Sequence, residues 1–144
     1  MLSIESFMLT DEDCLAILRE IKWPNGVICS SCLSKDIIRY GKYNMYQKYL
    51  CKECGHIFND KTGTIFHRSK VPLKVWFFVV LIMQSNLSIS ELSKTLNMYY
   101  DPVYRMAKKL KKSGYLGVID RKVKEKMVLN MTYIDAGLRL SNKS

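Results

Sequence analysis

Apolar positions recur along the chain with a period that switches from helical to strand-like and back. Leu15, Ile17, Leu18 and Ile21 form a stripe behind Thr10 and Asp13, which have capping-box spacing, so a helix is predicted from about Asp11 to Lys22. Trp23-Pro24-Asn25-Gly26 stops it. Alternation then takes over. Residues 36–43 and 45–50 read as paired strands joined at Gly41-Lys42-Tyr43-Asn44, with a third short strand near 56–59. From Pro72 to Gln84 the chain is apolar nearly all round, the pattern of a helix at the centre of a core. Ser88 and Glu91 form the next capping box, ahead of a short helix from Ile89 to about Leu96. After an Asn97-Met98 turn, a further helix is predicted from Tyr100 to Lys112, with Gly114 where a left-handed C-cap belongs. Pro102 fits there because the first turn needs no intrahelical donor.

These elements divide the chain into an N-terminal helix at 1–23, a small antiparallel ribbon at 24–66, a helical module at 67–114 and a basic tail at 115–144. The class is α+β. The longest apolar run, Val75 to Met83, is too short to span a bilayer, and the N-terminus lacks the pattern of a secretory signal. A cytoplasmic, nucleoid-associated protein with no membrane partner is therefore expected. Cys14, on the apolar face of the first helix, reads as a small core residue.

The remaining four cysteines change the picture most. They stand as two Cys-x-x-Cys pairs, Cys29 with Cys32 and Cys51 with Cys54, eighteen residues apart, the spacing of a zinc ribbon. Each pair makes a knuckle, and the hairpin between them brings four thiolates to one tetrahedral Zn2+ site. A segment this short has too little apolar core to fold without metal. Disulfides or a rubredoxin-like iron centre are the competing readings, although nothing else in the chain suggests electron transfer. His56, two residues past Cys54, is expected beside the shell and not in it, since four thiolates complete it.

The formal charge of +10 is concentrated late in the chain. Residues 1–27 are net acidic, whereas Arg105 to Lys126 holds nine basic residues against Asp120 and Glu125. Such a field suits a polyanion, double-stranded DNA above all, or else is a solvated basic face. Short helix, tight turn and basic helix is the order of a helix-turn-helix. Val103, Met106, Ala107 and Leu110 would face the core, turning Tyr100, Asp101, Tyr104, Arg105, Lys108, Lys109 and Lys112 outward. Arg105 could donate twice to guanine and Asp101 could accept from cytosine, while the lysines would meet phosphates. The alternative is an ordinary helical bundle with a wet basic helix. On the hairpin, Arg39, Lys42 and Lys48 alternate with Tyr40, Tyr43, Tyr46 and Tyr49, and could lie along a phosphate backbone while some tyrosines pack on the helical module.

Trp23-Pro24-Asn25-Gly26-Val27-Ile28-Cys29, Cys51-Lys52-Glu53-Cys54 and the run from Thr62 through Gly63-Thr64-Ile65-Phe66-His67-Arg68-Ser69-Lys70 to Trp76 resemble the N-terminal half of a zinc-ribbon family of insertion-sequence transposases. The resemblance spans about residues 11 to 137. It implies a ribbon and helix-turn-helix that bind transposon ends, followed in the family by an RNase H-like domain whose carboxylates hold divalent metal. The family's catalytic domain opens with a strand, Glu-x-Asp-Glu-x-Tyr-Ile, that matches Val128 to Ile134 here, with Asn130 in the place of the first metal-binding aspartate. An amide lacks the anionic oxygen that two-metal phosphoryl chemistry demands.

The expectation is a DNA-binding protein derived from a truncated transposase, a transcriptional regulator or transposon-end-binding repressor without catalytic activity. An architectural chromatin protein and an adaptor that docks on polymerase or an intact transposase are the rival classes. The strand at 127–134 would have free edges, and pairing with its copy in a second chain would give a homodimer.

Overall fold

The computed structural model describes residues 9–85 and 87–141 of the 144, with side chains up to residue 129. In chain order the elements are α1 (Asp11–Lys22), β1 (Ile37–Tyr43), β2 (Tyr46–Cys51), β3 (Ile57–Asn59), α2 (Leu73–Met83), α3 (Ile89–Leu96), α4 (Tyr100–Ser113) and α5 (Tyr115–Ser141). They fall into two compact units, Asp11–Leu73 and Lys74–Ser144 with Met1–Thr10. No described helix is long and apolar enough to cross a membrane.

In the first unit the strands form one antiparallel sheet in the order β1-β2-β3. Its core joins Tyr49, Phe58, Cys29 and Cys51, with Trp23, Val27 and Ile37 packed against them. Tyr49 lies 5.4 Å from the edge-on Trp23 ring and stacks on Phe58 at 5.4 Å, so large aromatic area is buried in geometries the ring quadrupoles favour. Helix α1 belongs to this unit and buries Cys14, Leu15, Ile17 and Leu18.

In the second unit α2 buries Trp76, Phe77, Phe78, Val79, Val80 and Ile82, as its all-round apolar sequence requires. Ser88 caps α3 with the complete box: its Oγ accepts from the Glu91 amide at 3.1 Å and its own amide donates to the Glu91 carboxylate at 3.1 Å. Asn97 ends α3 in the left-handed region (φ 53°), and Gly114 ends α4 there (φ 76°). Helix α3 packs on α4, and α4 on α5.

The expected strand at residues 127–134 is helical, lying within the 27 residues of α5, so a homodimer paired through that strand has no strand to form it. The reason is cooperative. Ile119 and Val123, one turn apart, are fully buried, Lys124 pairs with Asp120 at 3.0 Å, and no proline interrupts the segment. A helix nucleated by packing gains one hydrogen bond for each residue it adds, whereas a lone β-prone run gains nothing without a partner strand.

Candidate metal centre and nucleic-acid interface

The two Cys-x-x-Cys segments fold into near-identical knuckles. The Cys29 amide donates to the Ser34 carbonyl at 2.9 Å and the Leu33 amide to the Cys29 carbonyl at 3.1 Å. In the second knuckle the Cys51 amide donates to His56 O at 3.0 Å and the Gly55 amide to Cys51 O at 2.9 Å. Leu33 and Gly55, each just after its second cysteine, take φ of 64° and 75°. Amides aim at sulfur: Ser31 and Cys32 donate to Cys29 Sγ at 3.3 and 3.4 Å. Burial resists ionisation of Cys29, but these N–H groups, together with hydrogen bonds from the Cys54 and Cys32 side chains, lower the thiol to about 6.

All four sulfurs lie within 4.8 Å of one another, with Cys29 Sγ 3.6 Å from Cys54 and Cys32 Sγ 3.5 Å from Cys51. A tetrahedron with Zn–S bonds of about 2.3 Å has S–S edges of about 3.8 Å, close to these separations, and a disulfide would need about 2 Å. The cysteines are unbridged. The set fits zinc, and with every tetrahedral position taken by sulfur the site is of the structural kind, with no open position for water or substrate. His56 stands outside the shell, its Nε2 3.0 Å from Ser30 Oγ and its ring stacked on Phe58.

One residue that pattern reading missed ties α1 to the ribbon. The Asp60 carboxylate is fully buried and accepts from Arg19 Nε (3.0 Å) and Nη2 (2.8 Å), the Tyr49 hydroxyl (2.8 Å) and the Gln47 amide (2.7 Å). Both oxygens are satisfied, as a buried charge requires. Lys22 adds a second tie, its Nζ donating to the carbonyls of Asp60 at 2.7 Å and Thr62 at 3.0 Å and lying 4.2 Å from the Trp23 ring centre.

On the hairpin, Tyr46 and Tyr49 are buried and Tyr40 and Tyr43 are exposed. Within the ribbon unit, Trp23 and Phe58 cover Tyr49, and the Lys61 ammonium lies 4.5 Å from the Tyr46 ring centre. Arg39 and Lys42 are exposed, whereas Lys48 is half-buried and paired across the sheet with Asn59.

In α4, Val103, Met106, Ala107 and Leu110 are buried, and Tyr100, Asp101, Tyr104, Arg105, Lys108, Lys109 and Lys112 are all exposed. The outward face is thus continuous. Tyr100 and Tyr104 stack on it with ring centres 6.2 Å apart, and Tyr99 before them, which the apolar pattern did not single out, is 87% exposed. The left-handed Asn97 cap gives the short α3–α4 turn, with amides of Asn97 and Met98 returning to Lys94 O and Ser93 O at 3.1 and 3.0 Å.

Residues 9–57 match the family model of the transposase zinc-ribbon domain. Over 106 residues the chain is 42% identical to an uncharacterized protein in transposable element ISH50 of Halobacterium salinarum, a match that covers 73% of this chain and 36% of that relative. The matched part is thus about a third of the relative's length. No solved structure matches the chain.

Proposed function

We propose, starting from a transposase zinc-ribbon domain at residues 9–57, that the chain is a DNA-binding protein of insertion-sequence origin that reads duplex DNA with α4 and acts as a transcriptional regulator or transposon-end-binding repressor. The observation that carries this reading is the α3–turn–α4 arrangement, which buries one stripe of α4 and leaves Arg105 and four lysines, Lys108, Lys109, Lys111 and Lys112, exposed. Arg105 reads a guanine edge and Asp101 a cytosine amine; Lys108, Lys109 and Lys112 hold phosphates. The zinc centre is structural and holds the ribbon's shape.

The proposed role involves no strand cleavage. Asn130 stands where the resemblance places the first metal-binding aspartate, and an amide lacks the anionic oxygen that two-metal phosphoryl transfer needs. Selection of bound fragments from the source genome tests the role. Enrichment of one motif, lying at element ends or promoters, is the expected result. Salt-dependent binding without any motif would replace the regulator with an architectural protein.

A further inference from the structure

The ribbon carries a feature that its alternating sequence hides. Directly opposed residues in an antiparallel pair share a face of the sheet. Arg39 is opposite Tyr49 and Lys42 is opposite Gln47, and since Gln47 and Tyr49 are two apart on β2, Arg39 and Lys42 share a face although they are three apart on β1. One extra residue between them, a β-bulge, makes this possible. Gly41 within it takes φ 94°, a conformation that L side chains resist, and the Gln47 side-chain amide clamps its carbonyl at 2.6 Å. Without the bulge one of the two cations would stand on the opposite face.

The side they share is concave. A cleft of about 430 Å³ between α1 and β1 is lined by Arg19, Arg39 and Lys42, with Glu12 its one carboxylate, and an adjoining cleft of about 360 Å³ shares Arg39 and Tyr49 and adds Lys35. Lys35, Arg39 and Lys42 are exposed along the edge strand. Arg19 spends Nε and Nη2 on Asp60 and its side chain is still 41% exposed at the cleft. With Arg19 balanced by Asp60, three cations, Lys35, Arg39 and Lys42, stand against Glu12 along a groove beside an extended strand, a layout that matches a chain of evenly spaced monoanions better than a single compact ion.

We propose that this groove is a second DNA contact, a track in which Arg39 and Lys42 bind successive phosphates of a nucleic-acid backbone, with Lys35 and Arg19 flanking them. The proposal rests on the DNA-binding reading of α4 and adds to it a non-reading grip on the ribbon. Phosphate contacts carry no sequence information, so the track adds affinity and salt dependence on every duplex equally.

The test is fluorescence anisotropy of the zinc-loaded full chain on labelled duplexes of several unrelated sequences, titrated between about 50 and 200 mM salt. The double variant Arg39→Gln/Lys42→Gln should lose about two units of salt slope and about tenfold in affinity on all duplexes alike. Lys70→Gln, an exposed cation of the same unit outside both clefts, should change neither. Zinc content and circular dichroism equal to wild type show that the double variant is folded. Wild-type slope and affinity in the double variant, with Lys109→Ala still weakened, would overturn the track and leave the α4 reading standing. Absence of salt-dependent binding by the wild-type chain would remove both.

Discussion

Arg19 and Asp60, 41 residues apart, meet in a two-bond fork of 3.0 and 2.8 Å, the carboxylate fully buried and the arginine partly in water. The same carboxylate holds Tyr49 and the β2 backbone, so a single side chain orients the helix, the core aromatic and the central strand together. Burial of such a group is tolerated because each lone pair has a donor, and it becomes expensive once one partner is removed.

Asp60→Ala leaves Arg19, the Tyr49 hydroxyl and the Gln47 amide without their acceptor and should cost about 3 kcal/mol, measured by urea denaturation of the zinc-loaded protein. Arg19→Ala should cost less, since water can reach that side of the pair. A loss below about 0.5 kcal/mol for Asp60→Ala would show that the fork does not hold the unit together.

Lys22 gives the fold a pH dependence of unusual sign. Burial lowers its ammonium to about 8 against the attraction of Asp60, while in the unfolded chain it keeps its proton to 10.5. Between those values the unfolded state binds more protons, so stability rises with pH in that window. Relative to Lys22→Gln, which does not titrate there, the wild type should gain up to about 1 kcal/mol after allowance for solvent screening. Urea midpoints of both proteins at either end of the window would check this; a flat or falling difference contradicts it.

Purified protein should contain one zinc per chain, held by Cys29, Cys32, Cys51 and Cys54. Chelation should unfold β1, β2 and β3 and quench the burial of Trp23, while helical circular dichroism from the Lys74–Ser144 unit persists. Red, iron-loaded protein from zinc-sufficient cells, or metal content far below one per chain, would refute the assignment.

Arg105→Ala should change which duplexes are preferred, whereas Lys109→Ala should weaken all of them and reduce the salt slope by about one unit. If competition assays show both variants matching wild type on every duplex, α4 is not the reading element.

Much of this architecture is legible in the sequence because its signals are local. The spans of α1 and α3 coincide with their capping and stripe patterns, the four-cysteine spacing marks the metal centre, and the buried stripe of α4 is the one its periodicity specifies. The Asp60 hub is not legible, since nothing around one acidic residue after β3 marks the distant Arg19 as its partner. Gly41, read from the sequence as part of the hairpin turn, lies inside β1 at the bulge, and its effect on Arg39 and Lys42 depends on cross-strand register that only pairing reveals. The helix at residues 127–134 was obscured because short apolar runs carry no intrinsic period, and what settles them is the helix they extend.

The bulge in β1 means that the hairpin encodes the sidedness of its charge as a length and not as a residue. Substituting Tyr40 keeps Arg39 and Lys42 together, but losing or gaining one position between them sends one cation to the other surface while every positive charge remains in the sequence. Composition, net charge and percent identity would all register almost nothing. Among relatives of this ribbon, the count of residues between these two basic positions is therefore the quantity to compare, and a hairpin shorter by one there is expected to have abandoned or relocated its grip on the backbone.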